Sequence, residues 1–355
     1  MDQSQIFSRR AYVFQGKEEE AQIGEEFIKK IFLNLDNPIN IINSSLIDAT
    51  PSYDVYKASS QTKNYQLKLS FADSCPVLQR ESHALSRVKN LVCPTYIQNG
   101  KLKIGEDIIF SVSSHEAASA ISSVGRGVLI QGFSSFCDTY KKLQQNEKPQ
   151  NNFIECVGDI FELGELEKNF IEEAVESMDN HTGKNKVYEL FFDIKKEATS
   201  IYDPSIFDKN DFCHGNLTIY NIIERGGLFK LINLDYAHRG NFLTDLSRLM
   251  LSLGIKGNAK TQLIRLFCEK TGLAFNPKEY ELCEKMNALI TLHQLSMDYL
   301  YEVYMFNSTR ELKICNLIND YAQNFADFCR LPFFEKYKQF ISQTIMEPIV
   351  GIKYQ

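Results

Sequence analysis

A chain of 355 residues, 44% hydrophobic and 24% charged, is long enough for two lobes with a sizeable core and has an ordinary globular composition. Its net charge of −6 comes without a basic stripe or patch, which excludes nucleic acid as an expected partner. Nine cysteines, none in a Cys-x-x-Cys pair, read as reduced thiols filling a core. The polar start, Met1-Asp2-Gln3-Ser4-Gln5, has no apolar run behind it, and no stretch approaches the ~20 apolar residues of a membrane span. A cytoplasmic protein without membrane insertion is expected.

Residues 17–34 carry Ile23, Phe27, Ile28, Ile31 and Phe32 at helical spacing behind Glu18 to Glu20, which predicts an amphipathic helix with acids at the favourable end of its dipole. From about 41 to 71 the pattern turns to short β-prone runs: Ile41-Ile42, Tyr53 to Ala58, and Tyr65 to Phe71. Ser59 to Asn64 reads as the hairpin turn between the last two. Pro76 opens a predicted helix holding Leu78, Glu81, Leu85 and Val88 and ending near Asn90. Thr95 to Ile97 and Ile108 to Val112 follow as strands, with Asn99-Gly100 expected to form a tight turn before Leu102. Beyond residue 130 the periodicity is helical except around 211–250, with a polar loop over 142–152 and a long helix from about Tyr280 to Tyr304. The expected division is a helical extension (1–40), a β-rich lobe (41–116) and a helical lobe (117–355) holding the loop region 211–250.

The stretch from Asp211 to Met250 carries the chemistry. His214-Gly215 is followed by Asn221 and then by a hydrophobic hairpin that ends in Leu231-Ile232-Asn233-Leu234-Asp235. Phosphoryl transfer needs phosphates held, their charge neutralised by metal, and an acceptor aligned, with little covalent help from the protein. Asp235, at a strand end, suits Mg²⁺, and Asn221 offers a neutral amide oxygen to the same or a second ion. Lys68, in the strand Tyr65 to Leu69, suits nucleotide phosphates, with Glu81 on the next helix placed to pair with it.

In this order, strand lysine, helix glutamate, His-Gly-x-x-x-x-x-Asn and strand aspartate, the chain resembles the aminoglycoside phosphotransferase and choline kinase-like family of the protein kinase-like fold. The family's loop reads His-Gly-Asp-x-x-x-x-Asn, followed by Ile-Asp-Trp/Phe-Glu and Gly-Asp-Pro-x-x-Asp-Leu-Ala. Here the matching stretches are His214 to Asn221, Asn233 to Ala237, and Gly240 to Ser247. The resemblance implies an α+β bilobal fold with a small β-rich lobe and a larger, mostly helical one. It implies ATP or GTP with Mg²⁺, and a small-molecule hydroxyl as acceptor. The candidate catalytic positions are His214, Asn216 and Asp235; the metal ligands Asn221 and Asp235; the nucleotide contacts Lys68, Glu81 and Ser52. His214 is expected to shape the loop through backbone hydrogen bonds, and Asp245 to brace it from within.

Three positions depart from the family. Asn216 stands where the general-base aspartate is expected, and an amide cannot take a proton near neutral pH, a loss typically worth ~10²–10⁴ in rate. Its side-chain oxygen is left as a group to orient a hydroxyl, and Asp211 as a substitute base. The phosphate-covering turn, Ile47 to Asp54, has no glycine, leaving Ser52 as its candidate contact. Ala237 replaces an acid. A working small-molecule kinase, a pseudokinase with a protein partner, an Asp→Asn change introduced to trap a complex, and nucleotidyl transfer all stand open on these residues. Glu162, Glu165, Glu172, Glu173 and Asp298 are the acids available to a cationic acceptor, although such runs usually face water.

Overall fold

The computed structural model describes residues 25–49, 53–70, 75–88, 92–104, 106–115, 126–156 and 194–306. The smaller lobe is built on an antiparallel sheet of five strands: β1 (Asn43–Ala49), β2 (Asp54–Ser59), β3 (Asn64–Ser70), β4 (Tyr96–Ile104) and β5 (Glu106–His115), in the order β1-β2-β3-β5-β4. The period of two sorts its faces. Tyr56, Ala58, Tyr65, Leu67, Leu69, Phe110 and Val112 pack with Ile28, Ile31 and Phe32 of α1 (Glu25–Leu33). The opposite face aligns Val55, Lys68 and Ser111 across three strands. Helix α2 (Pro76–Arg87) lies on that side, where Ser82 Oγ donates to Ser111 Oγ at 3.1 Å. Pro76 fits its first turn, where the missing N–H leaves nothing unsatisfied, and Leu78, Glu81, Ser82 and Leu85 recur on its buried face.

The expected turn at Asn99-Gly100 is not one. Strand β4 runs through both residues, and its register with β5 closes at Ile104↔Glu106. Gly100 faces Phe110, and a Cβ there would lie 2.7 Å from the ring. The glycine makes room for an aromatic rather than bending the chain. The expected strand at Ile41-Ile42 likewise begins only at Asn43. Residues 17–24 of the first expected helix lie outside the described residues.

The larger lobe holds α3 (Arg126–Gln131), α4 (Phe133–Gln144), α5 (Pro204–Phe207), α6 (Phe242–Leu253), α7 (Gly257–Thr271) and α8 (Pro277–Phe306). The loop expected over 142–152 starts only after Gln144, because Leu143 is buried on the last turn of α4. Phe136 and Tyr140 of α4, Leu246 and Leu249 of α6, Phe267 of α7 and Leu289 of α8 share one core with Phe212 and Leu231. Two small ladders sit on it. Strand β6 (Asp211–Cys213) pairs with β9 (His238–Gly240), and β7 (Ile222–Arg225) pairs with β8 (Leu228–Leu231). The second is a two-residue hairpin whose turn residues, Gly226 (φ +61°) and Gly227 (φ +81°), both take the positive φ of a type I′ turn. The cysteines among the described residues are free, and no described helix is long and apolar enough to cross a membrane.

Burial pushes the pKa of His214, His238 and His293 down, His293 to about 4. In the unfolded chain these imidazoles take a proton near pH 6.5, so below that pH the unfolded state binds more protons. Their stabilisation is complete above about pH 6.5 and is lost as pH falls towards 4, with His293 accounting for ~3 kcal/mol. Urea midpoints measured from pH 7 to pH 4 are expected to fall through this window, and His293→Gln is expected to flatten the fall.

Candidate active site

The loop from His214 to Asn221 is held from beneath by one carboxylate. Asp245, on the first turn of α6, accepts from the backbone amides of His214 (2.6 Å) and Gly215 (2.9 Å) and from the Tyr140 hydroxyl (2.8 Å). The His214 imidazole is fully buried and bridges backbone to backbone. Its Nε2 lies 2.8 Å from the Ile232 carbonyl, and its Nδ1 accepts from Asn216 N–H at 3.3 Å. A neutral ring protonated on Nε2 satisfies both contacts, and the downward pKa shift, caused chiefly by burial, favours that form. Gly215 takes φ +83°, and a Cβ there would fall 1.9 Å from the Tyr236 carbonyl oxygen. The two loops touch where only glycine fits.

The hairpin then sets the register between Asn221 and Asp235. Ile232 N–H bonds the Asn221 carbonyl at 3.0 Å, closing the base of the β7–β8 ladder. Asn233 turns the chain into the left-handed region (φ 59°, ψ 64°), which asparagine tolerates, and opens the 3-10 turn Leu234–Tyr236. Its Nδ2 donates to Asn221 Oδ1 at 2.9 Å, and Asn221 Nδ2 donates to the Asn216 carbonyl at 2.7 Å.

The small lobe closes the site from the other side. Lys68 Nζ lies 2.8 Å from both Glu81 carboxylate oxygens, and both side chains are almost fully buried. Burial raises the Glu81 pKa; Lys68 opposes that shift and the charge of Asp235 adds to it. The Leu234 backbone amide also bonds the Glu81 carboxyl, and Arg80 Nε donates to the Asp235 carbonyl at 3.2 Å. Tyr53 stands between the lobes. Its hydroxyl donates to Asp235 Oδ2 at 2.8 Å, and Lys68 Nζ sits 4.9 Å from its ring centroid. Burial, then the Asp235 charge, holds that phenol well above its ordinary pKa.

Asp235 Oδ1 is buried and has no hydrogen-bond partner among the described residues. An orphaned carboxylate oxygen, with the charge of a second buried carboxylate, the Lys68-paired Glu81, acting on it, is an arrangement that a cation completes. Among the described residues no three His, Cys, Asp or Glu side chains gather into a metal cluster. One or two protein ligands with substrate phosphates and water are nevertheless a common Mg²⁺ set: Asp235 has the open oxygen such an ion needs, and Asn221 Oδ1 keeps one lone pair beside its contact with Asn233 Nδ2.

Lys68, Glu81 and Asp235 are thus linked through Tyr53, while Asn221 is tied to Asn233, two residues before Asp235, and to the Asn216 carbonyl. Ser52 and the acids Glu162, Glu165, Glu172 and Glu173 lie outside the described residues, and Asp298 is carried on α8. One expectation for the acceptor side is corrected. The Asn216 side-chain oxygen is not available to orient a hydroxyl, because Arg248 Nε (3.3 Å) and Nη2 (3.2 Å) both donate to it. Asp211 Oδ2 accepts from Phe242 N–H at 3.2 Å, which ties one of its two oxygens to the start of α6. Sequence reading missed Tyr53, Asn233, Arg248 and Thr291. A usable signal existed for Arg248, the one basic residue of α6, a turn after Asp245.

No protein-family model and no curated protein sequence matches the chain. Solved structures match it in fold, and all three named here are small-molecule kinases or phosphotransferases by their own descriptions. Choline kinase LicA from Streptococcus pneumoniae aligns with TM-score 0.51 and 17% identity over 86% of this chain and 98% of its own. Amicoumacin kinase hAmiN, in complex with AMP-PNP, Ca²⁺ and Ami, gives 0.57 and 11% over 89% and 97%. Spectinomycin phosphotransferase APH(9)-Ia, in complex with ADP and spectinomycin, gives 0.52 and 15% over 87% and 95%. The chain therefore has the bilobal α+β fold of choline kinase and the aminoglycoside phosphotransferases.

The Tyr53 phenol bridges Lys68 and Asp235. Tyr53→Phe is expected to tighten Mg²⁺–nucleotide binding up to about tenfold, since no phenol then has to leave Asp235. The free protein should lose ~1–3 kcal/mol through the lost buried hydrogen bond. Isothermal titration and urea denaturation of the same preparation check both signs, and weaker nucleotide binding would contradict the first.

Proposed function

We propose that the chain binds a nucleoside triphosphate, ATP or GTP, with Mg²⁺ between its lobes and transfers the terminal phosphoryl group to an oxygen of a small molecule. The observation that carries this reading is the orphaned Asp235 Oδ1, whose other oxygen is linked through Tyr53 to the buried Lys68–Glu81 pair. The AMP-PNP and ADP complexes of fold neighbours support it.

Asp235 and Asn221 would hold the ion, which when bound supplies positive charge to the phosphate oxygens. Lys68, aimed by Glu81, adds a fixed ammonium on the opposite side. Such charges raise the rate because they are already oriented before the phosphoryl group moves. His214 and Asp245 keep the loop in register without touching the reacting atoms. Arg80 and Glu81 join the small lobe to the Leu234–Asp235 backbone beside this charged interior.

A second reading, a pseudokinase that serves a protein partner, is favoured by one observation: Tyr53 fills the space between Lys68 and Asp235. Thermal shift with ATP or GTP, with and without Mg²⁺, tests the first reading. Stabilisation that requires Mg²⁺ supports it by mass action. Mass analysis of products after incubation with metabolite pools separates phosphoryl from nucleotidyl transfer. Absence of any nucleotide response favours the scaffold.

A further inference from the structure

Asn216 offers the acceptor a hydrogen-bond donor, where a kinase loop would ordinarily offer a base. The assignment follows from Arg248. Its guanidinium carries only donors, so the group facing Nε and Nη2 at 3.3 and 3.2 Å is the Asn216 oxygen. Arg248 is itself buried and fixed: Nη1 donates to the Asn287 carbonyl at 3.2 Å and to the Thr291 hydroxyl. Burial lowers its pKa to about 10, which leaves it charged at neutral pH. The Asn216 amino group is therefore turned away from the arginine. Among the described residues it has no hydrogen-bond partner, and Asn216 is only half-buried. The Asn216 carbonyl is tied to Asn221, so the residue belongs to the same hydrogen-bonded loop as the candidate metal ligand.

Resting on the nucleotide reading above, we propose that the acceptor oxygen is already anionic when it reaches Asn216: a carboxylate or a phosphate monoester. Its charge is received by Asn216 Nδ2–H, with the guanidinium of Arg248 directly behind. The acceptor oxygen attacks the terminal phosphorus while the bond to the bridging oxygen breaks, and that electron pair leaves with the nucleoside diphosphate. The product is an acyl phosphate or a diphosphate. No proton moves, so the missing general base removes nothing the reaction needs. Arg248 is a positioning residue that fixes which end of the amide faces the substrate.

The test uses the full chain with Mg²⁺–ATP and three pools of small molecules: carboxylates, phosphate monoesters, and neutral or cationic alcohols lacking either group. Nucleoside diphosphate release is expected from one of the two anionic pools, which also says which source is used. It should not come from the alcohols, and the rate should be flat between pH 6 and 8 for a carboxylate and follow only the acceptor's own second ionisation at pH ~6 for a phosphate monoester. Asn216→Asp keeps an acceptor for Arg248 and is expected to fold with an unchanged melting profile. It replaces the amino group by a carboxylate oxygen, so turnover of anionic acceptors should fall at least tenfold while alcohol turnover appears. Arg248→Lys keeps the charge and breaks the fork, and should lower anionic turnover in the same direction. Turnover from the alcohol pool by the native chain overturns the proposal. So does silence in every pool while Mg²⁺–ATP still stabilises the protein. If Mg²⁺–ATP does not stabilise it at all, the nucleotide reading fails and takes this proposal with it.

Discussion

Replacing Asp235 by alanine is expected to abolish the Mg²⁺-dependent response to nucleotide while leaving the free protein about as stable as before. The native carboxylate is strained by design: Oδ1 is buried without a partner, at a cost of ~1–3 kcal/mol for such a group, and Glu81 adds like charge. Removing it forfeits the hydrogen bond from Tyr53 but also relieves that burial, so the two effects largely offset. Metal-borne stabilisation of a transferring phosphoryl group is worth several kcal/mol, and each 1.36 kcal/mol is tenfold in rate. Turnover should accordingly fall by about three orders of magnitude or more. Thermal melts of the two proteins, with and without Mg²⁺–ATP, separate loss of ligand response from loss of fold. A variant that still shows Mg²⁺-dependent stabilisation would remove Asp235 from the metal site.

Asp245→Asn should do the reverse and lower stability first, by about 3–5 kcal/mol, a large share of the ~5–15 kcal/mol typical of a whole domain. Oδ1 takes the Gly215 amide, and Oδ2 takes both the His214 amide and the Tyr140 hydroxyl. An asparagine satisfies only one of these sets, because its amino end would point a donor at a donor. The loop that carries His214, Asn216 and Asn221 loses its floor, so nucleotide binding weakens as a consequence of misplacement. Urea midpoints report the stability loss, and Mg²⁺–ATP titration reports the effect on the site. An unchanged midpoint would show that Tyr140 and the loop amides find other partners. Together the two variants distinguish a carboxylate kept for its ligand from one kept for its loop.

The legible part of this site was the part written in local spacing. Lys68 and Glu81 were placed by a strand followed by a helix, and they meet because β3 and α2 share the cleft side of the sheet. His214, Asn221 and Asp235 follow one another through a two-residue hairpin whose Gly226-Gly227 turn fixes the register. Asn99-Gly100 was misread because glycine in a strand serves a close approach as well as a turn, and the ring it admits, that of Phe110, belongs to the next strand. Tyr53 gave no signal in a turn noted only for lacking glycine, since its partner Asp235 lies 182 residues away in the chain.

Residue types and short-range periodicity were thus enough to divide the chain into a β-rich and a helical part; the bilobal fold and the substitution at Asn216 came as what the family resemblance implies. The direction in which that amide points was beyond their reach. It depends on α6 and α8 packing against the loop so that Arg248, Asn287 and Thr291 form a single clamp, a contact between segments 32 to 43 residues apart. Hydrogen-bond donors and acceptors are matched only when such surfaces meet, and the amide's chemistry toward its substrate follows from that match.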